Sequence, residues 1–78
     1  MSLVGKIGGI RRNVKPGLTF FDLRVESYQV QVMAGGMMHQ VTQGLQAGDI
    51  VRVQGATGSN RRDQPLVTAC QITRFEEN

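Results

Sequence analysis

The sequence predicts a small all-β domain of five strands, with one short helix between the third strand and the fourth. Two observations predict this class. Aliphatic and β-branched residues alternate with polar ones in short runs. The runs end at Gly, Pro, Asn and Asp, which favour turns. A chain of 78 residues is long enough for one domain with one core, so the whole of 1–78 is predicted as a single unit, excised from a longer chain.

The first two strands are predicted at residues 3–12 and 18–25. Consecutive glycines, Gly8 and Gly9, interrupt the alternation of the first strand and indicate a bulge or a sharp bend. A small barrel needs such a bend to close. Residues 13–17 are predicted as a turn, because their proline presets its own φ and their glycine accepts a positive one.

The third strand is predicted at residues 28–34 and is followed by the helix. Met38, Val41 and Leu45 recur at i, i+3 and i+7, which is one face of a short helix, although Gly44 weakens it. Alternation then resumes in two further segments.

Strands four and five are predicted at residues 50–55 and 66–75, joined by a loop at 56–65. This order of elements is that of the OB-fold, a five-stranded Greek-key barrel. OB-folds bind oligonucleotides on the face of strands 2 and 3, between the loops that join strands 1 and 2 and strands 4 and 5. The fold therefore predicts where a ligand would bind.

Basic residues cluster in or beside those two loops. The formal charge is +3 and the isoelectric point about 9.8, which suits a polyanionic partner. One group contains Arg11, Arg12 and Lys15, and the other contains Arg61 and Arg62. The alternative is that surface loops are simply polar and often basic.

Two adjacent phenylalanines in strand 2 must point to opposite faces, because strand side chains alternate. The pattern assigns these residues to the core: Thr19, Phe21, Leu23, Val25, Tyr28, Val30, Val32 and Ala34. It assigns these to the outer face: Leu18, Phe20, Asp22, Arg24, Gln29, Gln31 and Met33. An outward Phe20 can stack on an unpaired base, Gln31 beside it can bond a base edge, and Arg24 on the same face offers a guanidinium, so all three are candidate binding residues. The alternative is that Phe20 covers a patch against a partner domain or simply completes the strand.

The segments "FFDLR", "QVQVMA" and "GDIVRVQG", with an Arg eight positions before the first Phe, resemble a known family. They are similar to the anticodon-binding OB domain of class IIb aminoacyl-tRNA synthetases, and most of all to the eukaryotic type of lysyl-tRNA synthetase. The resemblance implies that Phe20 stacks on an anticodon base, that Gln31 bonds the central uridine, and that Arg12 contacts the anticodon loop.

One position departs from that family. A Glu before strand 5 reads the anticodon there, whereas "RRDQPL" places Gln64 at the matching position, followed by Pro65. Glu only accepts hydrogen bonds, and Gln also donates, so base preference is expected to shift or weaken. The acidic residue expected after "DLR" is also replaced, by Val25, with Glu26 one place later. The resemblance is therefore to a divergent member.

The resemblance implies a tRNA partner and a parent enzyme that joins lysine to tRNA. The segment itself is expected to have no catalytic residue, no bound metal and no cofactor. ATP and Mg²⁺ would belong to the parent enzyme, which would also carry any homodimer contact. Two alternatives remain: a free-standing binder of single-stranded nucleic acid or tRNA, and an OB domain that docks protein through Phe20.

The remaining reactive side chains are given structural roles. His39 has no Cys or His at metal-ligand spacing and is expected to lie unremarkably on the surface. Cys70 is the single cysteine, so it cannot form an internal disulfide, and a packed thiol in strand 5 is expected. The sequence predicts no membrane segment and a cytoplasmic protein.

Overall fold

The computed structural model describes residues 1–75 and contains five strands and one helix; the last three residues of the predicted domain lie outside that range. In chain order the elements are β1 (Ser2–Lys15), β2 (Leu18–Val25), β3 (Tyr28–Gly35), α1 (Met37–Thr42), β4 (Ile50–Ser59) and β5 (Pro65–Phe75). The strands close into a barrel in the order β1-β2-β3-β5-β4, and β4 pairs with β1. Among the strand pairs of residues 1–75, only β3 and β5 are parallel. The predicted five-stranded OB-fold barrel is confirmed.

Two of the strands extend three or more residues beyond their predicted ends, and β3 and β5 are each one residue longer than predicted. β1 continues to Lys15, so the turn before β2 is reduced to Pro16 and Gly17. β4 continues to Ser59, which shortens the loop before β5 to residues 60–64. The extra part of β4 consists of small and polar residues that suggest a loop, but it pairs with the start of β5. Cross-strand pairing therefore overrides a weak local preference.

The bend in β1 lies where the two glycines predicted it. Ile7 pairs with Leu23 and Ile10 with Phe21, so three steps along β1 match two along β2. A second shift precedes the end of β1, and Asn13 lies within it at φ 55°. These extra residues bend the strand and increase its twist, as barrel closure requires.

Cys70 is exposed, and the expectation of a packed thiol is wrong. Gln54 pairs with Gln71 and Gly55 with Ala69, so Cys70 is an extra residue on β5. This bulge changes the inward spacing of β5 from two residues to three, and Ala69 and Ile72 are the buried neighbours. Strict alternation of inward and outward side chains therefore does not hold across the bulge.

The barrel interior follows the predicted alternation in β2 and β3. The buried core contains Ile7, Phe21, Leu23, Val30, Val32, Ala34, Leu45, Val51, Val53, Val67, Ala69 and Ile72, with Thr19 and Thr42 also buried. Tyr28 was expected inside but is 50% exposed, because it is the first residue of β3, beside the β2–β3 turn. Val25 is only half-buried at the same end.

The helix closes one end of the barrel with a face that differs from the predicted one. Met38 packs against the core and Leu45 is buried beyond the helix end, but Val41 is 39% exposed. The helix ends at Thr42, whose side chain is buried instead. His39 is half-buried, and its Nδ1 lies 2.8 Å from the Thr19 hydroxyl oxygen, so its expected surface role is wrong.

Two glycines, one in β1 and one in β4, lie very close to the backbone of a neighbouring strand. A Cβ on Gly55 would lie 2.0 Å from the Thr68 carbonyl oxygen, and one on Gly5 would lie 2.4 Å from the Arg24 carbonyl oxygen. Neither contact is possible without moving backbone. Glycine is therefore required for strands to approach this closely. Within residues 1–75, no helix has the length and apolar character needed to cross a bilayer.

Candidate nucleic-acid interface

An open groove of about 700 Å³ lies between the outer face of β2 and β3 and the loop at residues 60–64. Its lining combines an aromatic ring, carboxamides, guanidinium groups and one carboxylate. The lining residues are Arg11, Phe20, Asp22, Gln29, Val30, Gln31, Met33, Ser59, Asn60, Arg61, Arg62, Gln64, Pro65 and Leu66. This is the surface on which OB-folds bind oligonucleotides.

Phe20 lies on the groove side of β2, while Phe21 is 1% exposed in the core. The predicted division between the adjacent rings is therefore confirmed by their burial. Phe20 is half-buried, and its cross-strand neighbours are Arg11 on β1 and Met33 on β3. The Arg11 guanidinium carbon lies 6.0 Å from the ring centroid, at the limit of a cation–π contact. A ring so bordered can accept a base on its face.

Gln31 lies on β3, next to Asp22 on β2 and Leu66 on β5. It is half-buried, and its Oε1 accepts a hydrogen bond of 3.1 Å from Asn60 Nδ2. This bond limits the rotamers of a side chain that would otherwise be mobile. Gln31 can therefore present its carboxamide to a ligand at a low cost in conformational entropy.

Asn60 organises the loop that forms the other wall. Its Oδ1 accepts hydrogen bonds from the backbone N–H groups of Arg62 at 2.8 Å and Gln64 at 2.9 Å. Its own N–H donates to the Gln64 carbonyl oxygen at 3.0 Å. An Asn that bonds the backbone two residues ahead is a known turn former, so this role was readable from the sequence, although the prediction missed it.

The groove is electropositive. Arg11, Arg61 and Arg62 line it, and Asp22 is the one carboxylate among its described lining residues. None of the three arginines forms an ion pair with another residue of the range 1–75. Their charges are therefore available to an external anion, and phosphate groups are the contacts that such side chains make in nucleic-acid complexes.

Arg12 does not line the groove, although the family resemblance gave it a binding role. Its guanidinium donates hydrogen bonds to the carbonyl oxygen of Thr42 at 3.3 Å and to that of Leu45. Arg11 and Arg12 are consecutive in a strand, so their side chains point to opposite sides. The correction is geometric: Arg11 faces the groove beside Phe20, and Arg12 caps the carboxyl end of the helix.

Six of the nine predicted binding residues share the groove: Arg11, Phe20, Gln31, Arg61, Arg62 and Gln64. Lys15 is exposed at the end of β1 and Arg24 at the far end of β2, and neither lines it. Asp22, Gln29 and Asn60 were not predicted as site residues. Alternation had placed Asp22 and Gln29 on the outer face, so it could have identified both as site residues. No group of three or more potential metal ligands occurs in the described part of the chain.

Comparison with known families agrees with this geometry. The model of the tRNA anticodon family, described as an OB-fold nucleic acid binding domain, matches residues 1–74. No curated protein matches the sequence. The match covers nearly all of the chain, including the whole groove and every strand except the last residue of β5. The chain belongs to the tRNA anticodon family of OB-fold nucleic acid binding domains.

Proposed function

We propose that this domain binds the anticodon loop of a tRNA in the groove. Phe20 stacks on one unpaired base, Gln31 bonds the edge of a base, and Arg11, Arg61 and Arg62 contact the phosphates. The observation that carries the proposal is the meeting of an accessible ring, a fixed carboxamide and arginines without ion-pair partners in residues 1–75. Single-stranded loops are recognised by this combination of stacking, edge bonding and charge.

Within that function, we propose the role of anticodon reader for a lysyl-type class IIb synthetase. The support is that Phe20 and Gln31, to which the resemblance assigns stacking and uridine recognition, line the same groove. Docking the loop would orient the tRNA so that its acceptor end reaches a catalytic domain. ATP and Mg²⁺ would bind in that domain, and a homodimer in the cytoplasm would form through the full-length enzyme.

The test is binding to three anticodon stem-loops that differ only in the anticodon, for lysine, asparagine and aspartate. We expect the lysine stem-loop to bind best, and the affinity to fall as salt rises because phosphate contacts release counterions. Gln31→Ala should reduce the preference at one base while leaving the salt dependence intact. Equal affinity for all three stem-loops would remove the lysyl-specific role.

A free-standing binder of single-stranded RNA or tRNA is the second candidate. Gln64 favours it, because this residue stands where the family has a base-reading Glu and is exposed in a loop of five residues. This candidate predicts salt-dependent binding with little selectivity among the three stem-loops. The protein-docking alternative instead predicts no salt-dependent RNA binding, so the same titration separates all three.

A further inference from the structure

One asparagine holds both glutamines that face each other across the groove. Asn60 Nδ2 donates to Gln31 Oε1 at 3.1 Å and to Gln64 Oε1 at 3.0 Å. Gln31 is on β3 and Gln64 is in the β4–β5 loop, so Asn60 links the two walls. The resulting inference rests on the proposed function, because it concerns which bases the groove accepts.

The direction of these hydrogen bonds is fixed by the backbone. The backbone N–H groups of Arg62 and Gln64 can only donate, so the Asn60 atom facing them must be its oxygen. The other terminal atom of Asn60 is therefore the nitrogen, which can only donate. The atoms that receive its hydrogen bonds on Gln31 and Gln64 must then be their oxygens.

Both glutamines are left with the same unused end. Each Oε1 is bonded to Asn60, and neither Nε2 has a hydrogen-bond partner within residues 1–75. The hydrogen-bonding groups that these bonds leave unused are the Nε2 donors, together with one remaining lone pair on each Oε1. A base that bonds the Nε2 donors must offer an acceptor, such as the keto oxygen of uracil. The amino group of cytosine would instead place a donor against a donor.

We propose that Asn60 is the positioning residue that sets the base preference of the groove, by orienting Gln31 and Gln64 to select keto over amino base edges. This role is separate from direct contact with RNA, because Asn60 acts through the two glutamines. It also gives Gln64 a function that differs from that of the Glu that the family resemblance implies at this position. A Glu carboxylate can only accept, whereas Gln64 offers a donor.

The substitution Asn60→Asp tests the proposal without removing the turn. A carboxylate oxygen can still accept from the backbone N–H groups of Arg62 and Gln64, so the loop is expected to keep its shape. The second oxygen now accepts where Nδ2 donated. Both glutamines must then rotate their carboxamides, donating to Asp and presenting oxygen to the ligand.

The assay measures the affinity of hairpin RNAs with a UUU centre in a seven-nucleotide loop, and of hairpins with each U replaced in turn by C. We expect the wild type to prefer U over C at one position or more by at least about fivefold. Asn60→Asp should abolish or invert that ratio. Gln40→Glu, an equal charge change at an exposed helix position outside the groove, should leave the ratio unchanged. An unchanged ratio in Asn60→Asp, or a wild-type ratio near one, would overturn the proposal.

A second measurement distinguishes failure of this inference from failure of the proposed function. In ¹⁵N–¹H spectra of the protein without RNA, Asn60→Asp should move the side-chain amide signals of Gln31 and Gln64 and slow their hydrogen exchange. If no variant binds RNA but these signals move, the proposed function is wrong and the role of Asn60 in orienting the glutamines stands. If the signals stay at their wild-type positions, the orienting role is refuted.

Discussion

The adjacent rings Phe20 and Phe21 should separate RNA binding from stability when each is replaced by alanine. Phe21 is 1% exposed and lies among the packed side chains of the barrel. Removing such a ring typically costs about 3–5 kcal/mol, through lost burial and the cavity that remains. Domains of this size have unfolding free energies of roughly 4–12 kcal/mol, so this loss is at least about a quarter of the stability and equals all of it at the low end of the range.

Phe20→Ala should have the opposite signature. Its ring is half-buried on the groove side of β2, so the stability loss should be only about 1 kcal/mol. Loss of base stacking should reduce RNA affinity by about 1–3 kcal/mol, which is roughly 5- to 150-fold. The loss should be similar for every loop sequence, because all bases have a face on which a ring can stack.

Urea unfolding followed by circular dichroism gives the stability of both variants, and fluorescence anisotropy with a labelled anticodon stem-loop gives the affinity. Phe21→Leu serves as a milder control, which should fold and bind RNA like the wild type. Two outcomes would refute the reasoning: equal stability losses in the two alanine variants, or wild-type RNA affinity in Phe20→Ala.

Three further predictions address the Arg12 cap on the helix, the charge of the groove and the close backbone approach at Gly55. Arg12→Met should lower the free energy of unfolding by about 1–2 kcal/mol, because the hydrogen bonds to the carbonyl oxygens at the helix end are lost. RNA affinity should stay within twofold of wild type. A large loss of affinity at unchanged stability would show that Arg12 contacts RNA. Arg61→Gln with Arg62→Gln should reduce the log–log salt slope of binding by about 0.7 for each phosphate contact removed, measured by titration across KCl concentrations; an unchanged slope would argue against phosphate contacts by this loop. Gly55→Ala should lower the free energy of unfolding, measured in urea, by about 1–3 kcal/mol, because the added Cβ would meet backbone atoms. Gly58→Ala should leave stability nearly unchanged, because its Cβ would meet open space. Equal effects of the two substitutions would contradict the close approach at Gly55.

The alternation of side chains in β2 and β3 could be predicted from the sequence because those strands pair in unbroken register. The hydrophobicity of alternate residues is then enough to tell which side chains point into the barrel and which point outward. That regularity gave the placement of Phe20 and Gln31 on one surface. The predicted order of strands and helix along the chain followed from the turn-forming residues that separate them.

The errors lie where that regularity is broken. Cys70 is exposed at a bulge on β5, and Val41 is exposed on a helix that ends at Thr42. Arg12 was assigned by its distance from Phe20 along the chain, whereas the alternation within β1 favours Arg11 as the groove residue. The hydrogen bond from Asn60 to Gln31 joins residues 29 positions apart, and no local pattern contains such a contact.

The most direct test of RNA binding in the groove is a chemical-shift titration of the ¹⁵N-labelled domain with an anticodon stem-loop. The amide signals of Phe20, Gln31 and the loop at 60–64 should move together and saturate with one affinity. Those of Arg52 and Phe75, which contact each other outside the groove, should stay in place. Shifts centred on Arg52 and Phe75, with Phe20 and Gln31 unchanged, would contradict the account.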